Sequence, residues 1–558
     1  RMEGARGEQA TFTSYNDDTI GTKENHPGVT VKAGDWGGLV YNNDSDLETL
    51  GIFFNSVNEA KINYGGGQVF VGGVPQFYDA VYLSTARPAV TNNLIINSAS
   101  AAISANPNSF EVTRYGNDLS ITVPNISPLA LVGTTFTIDG TTFEFANNTA
   151  VNQGDVAVSL IGATNSAQVA TAIANTINSS LLASSVDLAE AVGPTVTVLG
   201  AHAASAGTSP LTLDAEDFAS DYQRSGPDVH GNMLSQGALT KAPAYDPNNI
   251  SQQVGLTWYA TTQNSTNGLF VRINTNAGSV LDTLDVAAEF TATDIPYVLQ
   301  ENLVIHDDLG TVGTAGTLSQ RIAGQLQVDP GVLVKLGGAR IEADFGANVI
   351  AEGTAANPVV FTSIFDTRYG GGGTFDTPNN AGKALAQPGD WGGLYFAPTS
   401  SGSIDHALIT FGGGQTAIEG GFDYFDAVEI HQAKVRIADS TLQDNAGVGG
   451  GDRNGRVASD ASTIFVLGAQ PVILNNVIED NQGAAISADA NSLTAAVVPD
   501  WGRSTTPPGG YGAVTTDLSA VPAGIGGPVV ESYSQFDNNY GPLVRLNQLD
   551  NTGVNGMV

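Results

Sequence analysis

The sequence predicts an all-β fold, a parallel β-helix solenoid with one small inserted α+β domain. Three observations predict it. Gly34-Asp35-Trp36-Gly37-Gly38-Leu39 returns as Gly389-Asp390-Trp391-Gly392-Gly393-Leu394. Internal repetition outranks other fold signals, because each unit must bury its apolar face against the next. Val, Ile, Thr, Phe and Tyr recur in short runs, punctuated by 67 Gly and many Asn and Asp, which is the chemistry of strands and corners. Long amphipathic helical patterns are nearly absent.

Further matched segments extend the repeat. Tyr64-Gly65-Gly66-Gly67-Gln68 pairs with Phe411-Gly412-Gly413-Gly414-Gln415, Tyr78-Asp79-Ala80-Val81 with Phe425-Asp426-Ala427-Val428, and Ala101-Ala102-Ile103-Ser104 with Ala484-Ala485-Ile486-Ser487. The residues read as structural corners are Asp35, Trp36, Asp390, Trp391, Asp79 and Asp426. Glycine supplies permissive dihedrals there, Asp bonds backbone amides and Trp covers the coil. Thr11-Phe12-Thr13-Ser14 resembles the interior segment Val360-Phe361-Thr362-Ser363, and Asn551–Val558 resembles Asn264–Val271. Both ends are therefore expected to cut a repeat, as in a segment of a longer tandem array or a subunit that stacks end to end.

Within each copy, short strands alternate with Asx-containing bends. Val435-Arg436-Ile437 precedes Thr441-Leu442-Gln443-Asp444-Asn445, and Val472-Ile473-Leu474 precedes Val477-Ile478-Glu479-Asp480-Asn481. Asn and Asp tolerate left-handed dihedrals at such corners, and stacked corners can form Asn ladders. Asp329–Leu336, Ala339–Ala343, Ala347–Thr354 and Asn357–Ser363 resemble coils of right-handed, pectin-lyase-like parallel β-helices. They look most like the repeats of very large bacterial, planctomycete-type secreted or cell-surface proteins. At the roughly 22–25 residues per coil that the resemblance implies, and strands about 4.8 Å apart, the shaft would hold about 20 coils and be on the order of 90–100 Å long.

The stretch between the repeats breaks the pattern. Phe136–Phe145 reads as a hairpin with an Asp139-Gly140 turn. Asn165 or Ser166 caps a helix with Val169, Ile173, Ile177 and Leu181 on one face, and Thr195–Leu199 returns to strand. The expected organisation is residues 1–116 as the end of a β-helical repeat begun upstream, 117–216 as the inserted α+β module, and 217–558 as a second, truncated copy.

Charge and composition exclude several functions. The net charge of −34 repels nucleic acid. With no Cys there is neither a disulfide nor a thiolate metal site. No 18-residue apolar stretch is present to span a membrane. No phosphate-binding loop, dinucleotide fingerprint or nucleophile elbow occurs. Calcium is the one ligand the acidic loops suit, with Asp17, Asp18, Asp44 and Asp46 as candidates in Asn16-Asp17-Asp18 and Asn42-Asn43-Asp44-Ser45-Asp46. His306-Asp307-Asp308 is a lesser cation candidate. Asp366-Thr367-Arg368 and Asp452-Arg453-Asn454-Gly455-Arg456 hold the residue types of a polysaccharide lyase, a base beside carboxylates. The pectate-lyase motifs are not matched, so no catalytic residue is assigned and an enzyme is not expected. The reading is an extracellular or cell-surface structural fibre whose partners are copies of itself end to end. The alternative is a polysaccharide-binding adhesin, lyase or glycosidase working in a lateral groove.

Overall fold

The computed structural model describes residues 2–5, 8–21, 28–42, 55–115, 119–147, 151–178, 188–199, 201, 203–215, 222–236, 262–273, 282–308, 322–371, 373–380, 384–418, 421–449, 461–493 and 543–558. It is all-β in character, with many short strands and one α-helix among the described residues. Two compact units divide the chain. One comprises Arg1–Glu48, Ile52–Glu111 and Gly226–Val558, the other Thr49–Gly51 and Val112–Ser225.

Parallel sheets of eleven, seven and six strands dominate the first unit, and none closes on itself. Successive strands visit them in rotation. Asn348–Glu352 joins the seven-stranded sheet, Val359–Ser363 the eleven-stranded and Gly393–Phe396 the six-stranded. Ser401–Asp405, Ala407–Thr410 and Val428–His431 then repeat that order. Register keeps apolar side chains in rows: Phe361, Ile409, Leu442 and Ile478 pair successively, and so do Leu394, Val428, Ile464 and Ile486. All eight are buried. Parallel strands buried in this way gain both ladder hydrogen bonds and a continuous apolar stack.

The corners between sheets explain the Asx-rich bends. His406, Asp439 and Asn475 adopt left-handed φ of 43, 48 and 56° at one corner, and Phe411, Asp444 and Asp480 adopt 62, 54 and 54° at the next. A single left-handed residue reverses the chain sharply, and Asn and Asp bear it best. Buried amides run up these corners. Asn445 Nδ2 donates to Asn481 Oδ1 (2.8 Å) and to the Ile409 carbonyl (3.0 Å), and Asn481 Nδ2 donates to the Leu442 carbonyl (2.8 Å). Asn476 and Asn547 form a second row, as do Asn93 and Asn232.

Two expectations change. Among the described residues the longest sheet holds eleven strands, which at about 4.8 Å each span about 50 Å, where the resemblance implied 90–100 Å. Much of the chain lies in connections, as between Ser363 and Gly393 or Thr410 and Val428, so one round of the three sheets takes more residues than the resemblance implied. The matched segments also join different sheets. Leu39–Asn42, Val81–Ser84 and Ala101–Ala105 belong to the eleven-stranded sheet, whereas Gly393–Phe396, Val428–His431 and Ala484–Ala488 belong to the six-stranded one. The copies are thus stepped by one sheet. Between Val271 and Tyr297 the chain makes one round in the same order: Leu284 bridges Ile305 of the six-stranded sheet, and Ala287–Phe290 serves the seven-stranded sheet before the chain rejoins the eleven-stranded one.

The second unit has its own core of Leu119, Phe136, Phe143, Phe145, Val169, Ile173 and Ile177. Its boundaries, Val112 and Ser225, lie outside residues 117–216, because Val112–Tyr115 pairs antiparallel with Tyr222–Ser225. The hairpin Thr135–Ile138/Thr141–Ala146 turns at Asp139 and Gly140, both left-handed. The helix is Ser166–Asn178, capped by the Asn165 carboxamide, which accepts from the Gln168 amide at 3.0 Å. Leu181 lies outside the described residues.

Candidate functional site

The two Asp-Trp corners are built on the same bonds. Ser14 Oγ donates to Asp35 Oδ2 at 2.6 Å, and Ser363 Oγ to Asp390 Oδ2 at 2.5 Å. The same oxygen accepts from the amide three residues earlier, Lys32 at 3.2 Å or Gln387 at 2.9 Å. Trp36 Nε1 donates to the Asn63 carbonyl and Trp391 Nε1 to the Thr410 carbonyl, both at 2.8 Å. Gly38 and Gly393 have φ of 128 and 126°, and a Cβ on either would lie 2.1 Å from the carbonyl oxygen of Asp79 or Asp426. The Trp-Gly-Gly sequence is therefore required by close backbone approach. Asp79 and Asp426 are fully buried. Arg272 grips Asp79 through Nε and Nη2 at 2.8 Å each, and Asp426 accepts from the Ser462 amide at 3.0 Å. Asp35 and Asp390 thus bond within their own turns, whereas Asp79 and Asp426 bond groups on other strands.

Among the acidic candidates, Asp17 is buried, with Thr13 Oγ1 on one carboxylate oxygen (2.6 Å) and the Thr19 amide on the other (3.1 Å). Burial opposes its charge, but the Thr13 and Thr19 bonds and the Lys61 charge outweigh it and hold its carboxyl below the usual range. Asp366 takes the same place in the second copy, accepting from Thr362 Oγ1 at 2.6 Å. Asp18 sits in the adjoining turn. Asp44 and Asp46 lie outside the described residues, as do Asp452–Arg456. His306 Nδ1 lies 3.5 Å from Asp344. One group not foreseen converges among the described residues: Asp405, His406 and Asp439 each bring a ligand atom within 4.8 Å of the others. Arg436 already neutralises Asp405, whose other oxygen meets His406 Nδ1 at 2.5 Å. These residues adjoin in space only because Asp405–His406 and Asp439 occupy successive corners.

Beside the second Asp-Trp corner, cations and carboxylates collect against one face of the eleven-stranded sheet. Arg368 binds Asp366 through Nε and Nη2 at 2.9 Å each and stacks over the Phe411 ring at 5.0 Å. Burial would lower its pKa, but the Asp366 bonds hold it above the ordinary value. Lys335 points outward from Leu333–Leu336 yet is fully buried, its Nζ donating to the Phe375 carbonyl at 3.2 Å. Burial lowers Lys335 to about 8, with Asp366 and Asp376 opposing. Sequence reading missed Lys335, since nothing local marks its covering by residues 364–380. Next to this cluster a cleft of about 390 Å³ is lined by Asp294, Pro296, Pro330, Asn357, Val360 and Tyr369, among others.

Lys335 yields a pH prediction. Its folded value of about 8 lies below the ordinary 10.5. The unfolded chain therefore holds the proton longer, so stability rises between those values and is lost as pH falls through 8. The contribution is on the order of 3 kcal/mol. Lys434, lowered to about 8 by burial, acts in the same sense. Lys335→Met should raise stability at neutral pH and flatten the alkaline slope of the urea midpoint. An unchanged slope would refute this account of Lys335.

The chain matches no protein-family model, no curated protein and no solved structure.

Proposed function

We propose that the first unit is a right-handed parallel β-helix and that the protein is a structural shaft, a segment of a secreted or cell-surface fibre. The observation that carries this reading is the pair of stacked systems running from strand to strand, the in-register apolar rows and the buried Asn rows of the corners. Both couple each coil to the next, so stiffness adds along the stack. The candidate polar residues support the same reading, because the corner Asp and Trp side chains are engaged in turns. The strong negative charge keeps such a surface solvated. High-resolution imaging of isolated monomers should resolve parallel strands stacked about 4.8 Å apart along the first unit. A first unit of facing sandwiches without that stack would overturn the shaft.

A second reading, saccharide binding, draws on the cleft beside Tyr369 and on Lys335 and Arg368 among carboxylates. Burial of Lys335, and the two hydrogen bonds that tie the partly exposed Arg368 to Asp366, set both against lyase chemistry. Incubation with polyuronates should therefore release no unsaturated product, and release would favour the enzyme.

A further inference from the structure

Charged side chains also gather at one corner of the seven-stranded sheet, away from the Asp-Trp corners. Glu352, Asp405 and Ala438 pair in succession on neighbouring strands, and His406 and Asp439 follow the last two as left-handed corner residues. Glu352, Asp405 and Arg436 are 5, 0 and 1% exposed, while His406 and Asp439 are half-buried. Arg436 binds Asp405 Oδ2 and lies 3.8 Å from Glu352. Three carboxylates, those of Glu352, Asp405 and Asp439, thus gather around one guanidinium. Buried carboxylates need opposite charge beside them or must take up a proton. Burial accordingly raises the Asp405 carboxyl above the usual range, with Arg436 and His406 opposing.

Two further observations point to what is missing. Asp405, His406 and Asp439 each bring a ligand atom within 4.8 Å of the others. Arg436 occupies Asp405 Oδ2, so Oδ1 is the oxygen that meets His406 Nδ1, at 2.5 Å. Asn475 Nδ2 donates to Asp439 Oδ1 at 2.5 Å. The second oxygen of Asp439, Oδ2, is enclosed and meets no hydrogen-bond donor among the described residues. An enclosed carboxylate oxygen without a partner costs free energy, and a bound cation would remove that cost.

We infer that Asp405, His406 and Asp439 bind a divalent cation of the zinc class, which ties two successive corners together. An imidazole nitrogen beside two carboxylate oxygens is a mixed donor set that suits Zn2+, whereas Ca2+ takes a larger shell made of oxygens alone. Donors around Zn2+ lie about 2.0–2.2 Å from the metal, hence up to roughly 4.4 Å apart, which these three reach by a small closure. Three protein donors leave a position for water. Arg436 and Asn475 serve as outer partners, each fixing one oxygen of a ligating carboxylate. The Arg436 charge is met by Glu352 as well as by Asp405, so the cation adds to the balance of the cluster. The site does not depend on the shaft reading, since it needs only the pairing of strands 401–405 and 434–438.

The test is equilibrium dialysis of the full chain against Zn2+ at about 0.15 M salt, which screens the diffuse attraction of an acidic surface. Wild type should bind one equivalent that excess Ca2+ does not displace, and its urea midpoint should rise with bound Zn2+. Asp439→Asn and, separately, His406→Gln should each weaken that binding by about tenfold or more with unchanged circular dichroism. His230→Gln, at an exposed histidine near Asp228 and Asp294, should bind as wild type does. Zinc-edge X-ray absorption of the wild type at one equivalent should show imidazole scattering, a readout that needs no variant. Absence of a tight equivalent, displacement by Ca2+, a spectrum without imidazole, or unweakened binding in either ligand variant overturns the site. An equal loss in His230→Gln would place the metal elsewhere and overturn it too.

Discussion

Trp391→Ala is expected to destabilise the first unit by about 3–5 kcal/mol, the range for emptying a large buried aromatic site. Trp36→Ala, the same change in the other copy, should cost roughly half as much or less. Both indoles make the same 2.8 Å bond to a backbone carbonyl. Only Trp391 is completely enclosed, and only its corner has a further strand, Arg340–Ala343, paired beyond Gly393–Phe396 among the described residues. The difference therefore measures the covering coil, not the motif. Urea midpoints followed by circular dichroism would read it. Equal losses would mean that the two corners are equivalent in energy as well as in bonding.

Asn481→Leu should cost roughly 3 kcal/mol or more although it adds apolar volume to a buried site. The change strips partners from three groups, the Leu442 carbonyl, the Asn445 amide and the Asn445 side-chain nitrogen. All are buried away from water, and although Asn445 Nδ2 keeps its bond to the Ile409 carbonyl, each buried polar group left without its partner costs about 1–3 kcal/mol. Ile478→Val, in the adjacent apolar row, should cost only about 0.5–1.5 kcal/mol. A ratio near one would show that the Asn rows are passengers and that apolar stacking alone couples the coils. Protection of the Ile409 and Leu442 ladders against hydrogen exchange should fall together in Asn481→Leu, since one amide row spans both.

The repeated corner was legible because its requirements are local. Gly38 and Gly393 leave no room for a Cβ, Trp36 and Trp391 need only a neighbouring carbonyl, and Asp35 and Asp390 bond an amide three residues back. Conditions of that kind are met within a few residues and so are written in them. The Asp139-Gly140 turn and the Asn165 cap were readable for the same reason. The candidate cations and carboxylates were not. Arg368 was visible beside Asp366, but Lys335 becomes part of the same cluster only because a connection folds over its strand. Asp439 meets Asp405 and His406 only through the stacking of successive corners.

By itself, then, the sequence determined an acidic, cysteine-free chain of short strands and glycine-bound corners, duplicated at the level of the motif, with one α+β insertion. Tertiary structure decided which sheet each copy feeds. Leu39 enters the eleven-stranded sheet and Leu394 the six-stranded, although the same Gly-Asp-Trp-Gly-Gly precedes both. The reason is that a motif fixes its own turn, while the sheet it feeds depends on how many strands the chain lays down between two motifs.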